Sequence, residues 1–192
     1  MRTIASLAAA ALLTAACSGD PPEPAETAAA PAAEEQAAMD EVEESEWRSL
    51  FNGEDLSGWR GYKKDAPGDG WAVEDGTLTL TEGGAGDIMT EEVFGPFELS
   101  LEWKISENGN SGIIYLIQED DAAPNTYNTG PEMQVLDDDG HPDGQIPSHR
   151  AGALYDIEVP PDGATRPVGE WNEAVVRFTG SKIEHWLNGV LV

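Results

Sequence analysis

The densest run of side chains able to do chemistry is Glu132-Met133-Gln134-Val135-Leu136, followed at once by Asp137-Asp138-Asp139-Gly140-His141-Pro142-Asp143-Gly144. Carboxylates and loop carbonyls suit Ca²⁺, and a histidine among them admits Zn²⁺ or another transition metal. Asp137, Asp139 and Asp143 are the ligands a divalent cation would take here; the competing reading is a solvated acidic loop. The run is not an EF-hand. If Gly140 is the loop glycine, Val135 and Ile146 occupy positions that need carboxylates. A second polar row, Glu98, Ser100, Glu102 and Lys104, alternates with apolar residues. Either row could line a groove or simply face water. His141 and His149 flank a Pro/Gly-rich loop and are poor core residues, whereas His185 shares a strand face with Ile183 and Leu187. A buried structural role therefore competes with a functional one for His185. The sequence contains no nucleophile elbow, Walker loop, dinucleotide fingerprint or His-Glu-x-x-His. A serine triad has no support, and the one cysteine, Cys17, lies in the leader.

The elements that must carry these residues read as strands. Apolar and polar residues alternate over 98–105, 132–136, 174–179, 182–187 and, after Gly76, over 77–80. The continuous apolar run 112–117 suggests a strand buried on both faces. Asn188-Gly189 supplies a two-residue hairpin turn, and Asn108-Gly109-Asn110 turns into the buried run. No segment carries a capped helical stripe. Short strands separated by Gly, Pro, Asn and Asp predict an all-β sandwich of jelly-roll type. Trp103 alternates with Leu99, Leu101 and Ile105 and is assigned to the core; Trp186, on the face of Glu184, is the better candidate for stacking on a sugar.

Composition bounds what the strands can serve. The chain has 192 residues, with 37 Asp and Glu against 10 Lys and Arg, a formal charge of −27. Such a surface repels phosphates, so unaided nucleic-acid binding is excluded. Residues 1–16 hold one charge, Arg2, and then a short apolar run ending Leu13-Thr14-Ala15-Ala16-Cys17. This reads as an export signal, too short to span a bilayer, with Cys17 where a lipoprotein signal places its acylated residue. Thr14 stands where such signals usually hold Leu, and an ordinary secretory signal is the alternative. Ser18 resembles the residue that follows the acylated cysteine in outer-membrane lipoproteins. Residues 17–46 form an Ala/Pro/Glu-rich tether; 18–46 contain 10 acidic residues and no basic or aromatic one. That composition cannot bury enough apolar surface to offset its ordering entropy. All Trp, Phe and Tyr lie in 47–192, which is the folded domain.

Within that domain, Ser49-Leu50-Phe51-Asn52-Gly53-Glu54-Asp55-Leu56-Ser57-Gly58-Trp59 resembles the opening signature of the 3-keto-disaccharide hydrolase domain family. Collinear with it are Phe97-Glu98-Leu99-Ser100-Leu101-Glu102-Trp103, Gly109-Asn110-Ser111-Gly112-Ile113 and Gly130-Pro131 with the 132–137 strand. Gly140-His141-Pro142-Asp143, Ala151-Gly152-Ala153-Leu154-Tyr155-Asp156, Gly169-Glu170-Trp171-Asn172 and Glu184-His185-Trp186-Leu187-Asn188-Gly189 complete the match. The resemblance implies a concanavalin A-like jelly roll, action on glycosides oxidised at C3, and a bacterial envelope setting, often as a lipoprotein. It also implies strands beyond Val192, so the domain is expected to stop short of its closing strands.

A ketone at C3 acidifies the C2 proton, and the glycosidic oxygen at C1 then leaves by elimination; water adding to the enone completes a net hydrolysis. The reaction needs a base near C2, an electrophile for the enolate oxygen and an acid for the leaving group. It needs no cofactor, although a divalent cation or Lys104 could hold the enolate. Glu132 and His141 are the candidate base and acid, Gln134 and Glu102 the candidates to orient sugar hydroxyls, with Trp186, Glu184 and His185 behind them. A lectin-like module that binds sugar without cleaving it is the alternative, and a purely structural envelope lipoprotein is a third class. The substrate expected of so acidic a domain is a neutral sugar.

Overall fold

The structure, a computed structural model, describes residues 47–192; the leader, Cys17 and the tether lie outside the described residues. Ten strands follow in order: β1 (Trp59–Gly61), β2 (Trp71–Glu74), β3 (Thr77–Leu80), β4 (Ile88–Thr90), β5 (Phe97–Trp103), β6 (Asn110–Ile114), β7 (Glu132–Leu136), β8 (Asn172–Phe178), β9 (Ile183–Leu187) and β10 (Val190–Leu191). Among the described residues the only helices are three single 3₁₀ turns, at Thr126–Asn128, Pro142–Gln145 and Pro147–His149. The fold is an all-β jelly roll.

Its largest sheet has the order β10-β9-β8-β5, all antiparallel, and β6 pairs with β7. The alternation read from the sequence appears directly as burial. On β5, Phe97, Leu99, Leu101 and Trp103 turn inward while Glu98, Ser100 and Glu102 are exposed. On β8, Asn172, Ala174 and Val176 are buried between exposed or half-buried neighbours. One core cluster joins Trp103, Ala174, Val176 and Leu187 of this sheet to Met133, Val135 and Leu136 of β7. Burying each Val, Leu or Met side chain of this cluster contributes about 1.5–3 kcal/mol before entropy is counted.

Two hairpins follow from two dipeptides. Asp75-Gly76 joins β2 to β3 and Asn188-Gly189 joins β9 to β10, and all four residues have positive φ, between 50° and 79°. That is the two-residue loop whose twist matches the strands, and only its glycines adopt it without steric cost.

Two expectations are corrected. The apolar run 112–117 is not one strand: β6 ends at Ile114, and Leu116 has φ +55°, outside extended geometry. Nor is β7 half-exposed. Besides β6, its other edge accepts the 152–155 segment, through Gln134 N–H to Ala153 O (3.0 Å), Gly152 N–H to Gln134 O (2.8 Å) and Tyr155 N–H to Glu132 O (3.0 Å). A strand flanked on both edges is central, and Met133 to Leu136 are all buried.

Candidate functional site

At the start of this central strand, Glu132 is half-buried and carries a carboxyl group over Gly112 of β6. A Cβ at residue 112 would stand 1.8 Å from Glu132 Oε1, so the absent side chain is the space the carboxylate occupies. Burial, with a smaller push from the negative charge of Asp87, raises the Glu132 carboxyl from its ordinary 4.5 to about 7. No basic side chain among the described residues is part of that balance. A carboxyl poised near neutrality on a half-buried surface is a general acid or base in waiting.

Tyr155 pairs backbone-to-backbone with Glu132, and its ring is stacked on His149 with centroids 4.2 Å apart and planes 23° apart. Its hydroxyl donates to Asp143 Oδ2 at 3.3 Å. Burial raises the phenol's pKa first, then Asp143 through charge and hydrogen bond, then the charges of Glu132 and Asp156. His149 completes the group, with Nε2 3.3 Å from Asp156 Oδ1 and Nδ1 3.9 Å from Asp143 Oδ1. Two consecutive 3₁₀ turns bring these side chains together. His141 caps the first by accepting the Asp143 N–H on Nδ1 (3.2 Å), and the second ends at His149.

The residues singled out from the sequence are thereby divided. Glu132 stands at this site, and Asp143 joins it through Tyr155 and His149. His141 serves the local turn, so the Nδ1 side of its ring is engaged. Gln134 is withdrawn from a sugar-orienting role, being 1% exposed, with its amide donating to Asn110 Oδ1 and accepting from Val135 N–H. Lys104 is not brought to Glu132; its ammonium lies 4.9 Å over the Trp171 ring. Glu102 pairs across β5 and β8 with Glu173, on the face of the large sheet turned from the core. Glu184 is held there by Arg177 (3.2 Å) and Lys182 (2.6 Å), which together hold its carboxyl below the usual range, the Lys182 bond first. Trp186 lines a shallow groove of the same face with Glu98, Glu173, Val175, Arg177 and Gly189. His185 points inward, 5% exposed, with Nε2 2.7 Å from the hydroxyl of buried Tyr115. Burial lowers the His185 pKa and raises that of Tyr115 to about 12, so both stay neutral in the core.

The three aspartates expected around a cation are not gathered either. Among the described residues no three His, Cys, Asp or Glu form a group that could hold a metal ion. Asp137 instead accepts the backbone N–H groups of Asn108 (2.8 Å), Gly140 (2.9 Å) and Asp139 (3.2 Å), which hold its carboxyl below the usual range. Asp139 is exposed, and Asp143 faces Tyr155 and His149. The acidic loop is built as a turn scaffold.

Two site members, Tyr155 and His149, and the neighbouring Asp87 were not picked out from the sequence. His149 gave a signal as a histidine in a Pro/Gly-rich loop outside the core pattern, and Tyr155 only as part of the 151–156 motif, with no role attached.

The domain has relatives in sequence and in fold. The profile of the 3-keto-alpha-glucoside-1,2-lyase-like domain matches residues 46–192, and the chain belongs to that family. It is 38% identical over 160 residues to a 3-keto-disaccharide hydrolase of Bacteroides thetaiotaomicron, covering 73% of this chain and 55% of that protein. The chain thus spans about half the length of that curated relative. Two crystal structures of candidate glycosyl hydrolases from Parabacteroides distasonis superpose on it. One has TM-score 0.65 and 35% identity over 74% of this chain and 68% of the other; the second has TM-score 0.61 and 26% identity over 77% and 71%.

Proposed function

We propose that this chain is a glycoside-cleaving enzyme acting on 3-keto-glycosides, with Glu132 removing the C2 proton. The observation that carries the reading is the Glu132 carboxyl, set over Gly112 and raised to about 7, where it can take a proton and return it near neutral pH. Membership of the 3-keto-alpha-glucoside-1,2-lyase-like family and the likeness to a 3-keto-disaccharide hydrolase support the substrate class. The proposed sequence is proton abstraction at C2, expulsion of the C1 oxygen, and addition of water to the enone. The carboxylate pair that ordinary glycosidases hold at fixed spacing is not required. The test is deuterium exchange at C2 of a 3-keto-glucoside in D₂O. Wild type should exchange and cleave, and Glu132→Gln should lose both by at least 10²-fold. Retained exchange in Glu132→Gln would remove Glu132 from the role, and binding without exchange by wild type would favour a sugar-binding module.

The setting proposed for this activity is the bacterial envelope, with Cys17 acylated and residues 17–46 holding the domain away from an outer membrane. Globomycin should retard processing of the precursor in an expressing bacterium, and unchanged mobility would refute the lipoprotein assignment.

A further inference from the structure

We propose that Tyr155 is the electrophile of this reaction, donating its O–H to the C3 carbonyl oxygen while Glu132 takes the C2 proton, with Asp143 and His149 as positioning residues. The inference rests on the 3-keto-glycoside reading and adds a group that the reading leaves unfilled. Enolate formation requires a partner for the developing oxyanion. Lys104, the expected cation, is engaged over Trp171, and Glu132 is influenced by Asp87 rather than by a base. Tyr155 is the hydrogen-bond donor the fold sets beside Glu132. Its segment pairs with the start of β7 through Tyr155 N–H to Glu132 O at 3.0 Å, and the Glu132 charge is felt at its phenol.

Two contacts fix the donor without using it up. The stack on His149 fixes the ring plane, and His149 is itself tied by Nε2 to Asp156 Oδ1 at 3.3 Å, its buried Nδ1 lying 3.9 Å from Asp143 Oδ1 without a hydrogen-bond partner among the described residues. The hydroxyl hydrogen points to Asp143 Oδ2 at 3.3 Å, longer than the roughly 2.5–3.0 Å of a well-formed O–H···O bond, so a stronger acceptor can capture it. An enolate oxygen is such an acceptor. Ionising the phenol would add a negative charge beside Asp143, Glu132 and Asp156, so Tyr155 keeps its proton and serves as a donor.

The step balances within enzyme and substrate. The C2–H bond breaks and its proton bonds to the Glu132 carboxylate. The electron pair forms C2=C3, and the C3 oxygen, now anionic, accepts the Tyr155 O–H. As C3=O re-forms, C1=C2 forms, and the C1–O bond breaks with its pair on the departing oxygen, which takes the proton from Glu132. Water then adds across C1=C2.

Tyr155→Phe keeps the stack and removes only the donor. On a 3-keto-disaccharide, kcat should fall about 10²–10³-fold, the scale for losing one oxyanion donor, with KM nearly unchanged. C2 deuterium exchange should fall by the same factor. Asp143→Asn should lower kcat alone about tenfold, and the Asp143→Asn/Tyr155→Phe pair should be no slower than Tyr155→Phe, since both act through one hydroxyl. A purely structural Asp143 would give additive losses. If wild type exchanges and cleaves while Tyr155→Phe matches it, or exchanges at the wild-type rate and only cleaves slowly, this assignment is overturned and the parent reading stands. A wild type that neither exchanges nor cleaves overturns both.

Discussion

Glu132 ties stability to chemistry. Its carboxyl is neutral when protonated and is penalised for carrying charge, so folding is favoured by the proton rather than by its loss. Below about pH 4.5 the group is protonated both folded and unfolded and contributes no difference; as pH rises through about 7, the folded protein must hold a charge that the unfolded chain carries freely. Wild type therefore loses stability across that window, and Glu132→Gln does not. A shift from 4.5 to about 7 is discounted here because the side chain keeps partial contact with water. The expected gain for Glu132→Gln is about 1–2 kcal/mol at pH 8, vanishing at pH 4. Urea unfolding at the two pH values measures it. An equal gain at both would mean that packing, not ionisation, is responsible. The same ionisation should give kcat/KM a limb near pH 7 that rises with pH, because the base must be unprotonated. Asp87→Asn should move that limb lower by removing a negative charge that raises the Glu132 carboxyl.

At the scale of elements, the site depends on how close β6 lets β7's carboxylate approach. Gly112→Ala places a methyl 1.8 Å from Glu132 Oε1 and 2.6 Å from Cδ, so the side chain must swing away. The obstructing atoms belong to a flexible side chain, so the strand pair should survive: kcat is expected to drop at least tenfold, since misplacement by about 1 Å is that costly, with Tm nearly unchanged. A large fall in Tm with activity intact would show that the clash is relieved by the strands instead. This pairing also marks where the sequence was legible and where it was not. The alternation of β5, β8 and β9 encodes which residues face inward, and it placed Trp103 correctly in the core. Periodicity ranks faces within a strand, but it is silent on which strands become central. Gln134 alternated like a surface residue and is buried because the 152–155 segment closes β7's second edge. Residue chemistry and motif position group Glu184, Trp186 and Glu102 with Glu132, whereas register puts them on the outward face of a different sheet. Tyr155 reaches Glu132 through a non-local pairing that no local pattern encodes, and β1, β2 and β4, only three or four residues each, are too short to show a period.

The whole molecule's charge sets what can approach this site. The domain's share of the −27 is −18, from 9 basic and 27 acidic residues in 47–192 after Arg2 and the tether's 10 acids are set aside. At the site the imbalance is sharper, because Asp87, Asp143 and Asp156 surround Glu132, Tyr155 and His149. The arginine next in sequence to His149, Arg150, donates Nε–H to the Gly144 carbonyl (2.9 Å) and lies 3.7 Å from Asp162. A neutral 3-keto-glucoside feels little of this field, whereas a 3-keto-uronate must bring a carboxylate into it. The expected result is a kcat/KM for the uronate at least tenfold below that for the neutral sugar at low ionic strength. Salt screens charge over about 10 Å at 0.1 M, so the gap should narrow as salt is raised, entirely through the uronate. A gap that ignores salt would point to a steric or hydrogen-bond selection at C6. Faster turnover of the uronate would require a Lys or Arg to act at the site, and neither is among the groups that act on Glu132 and Tyr155.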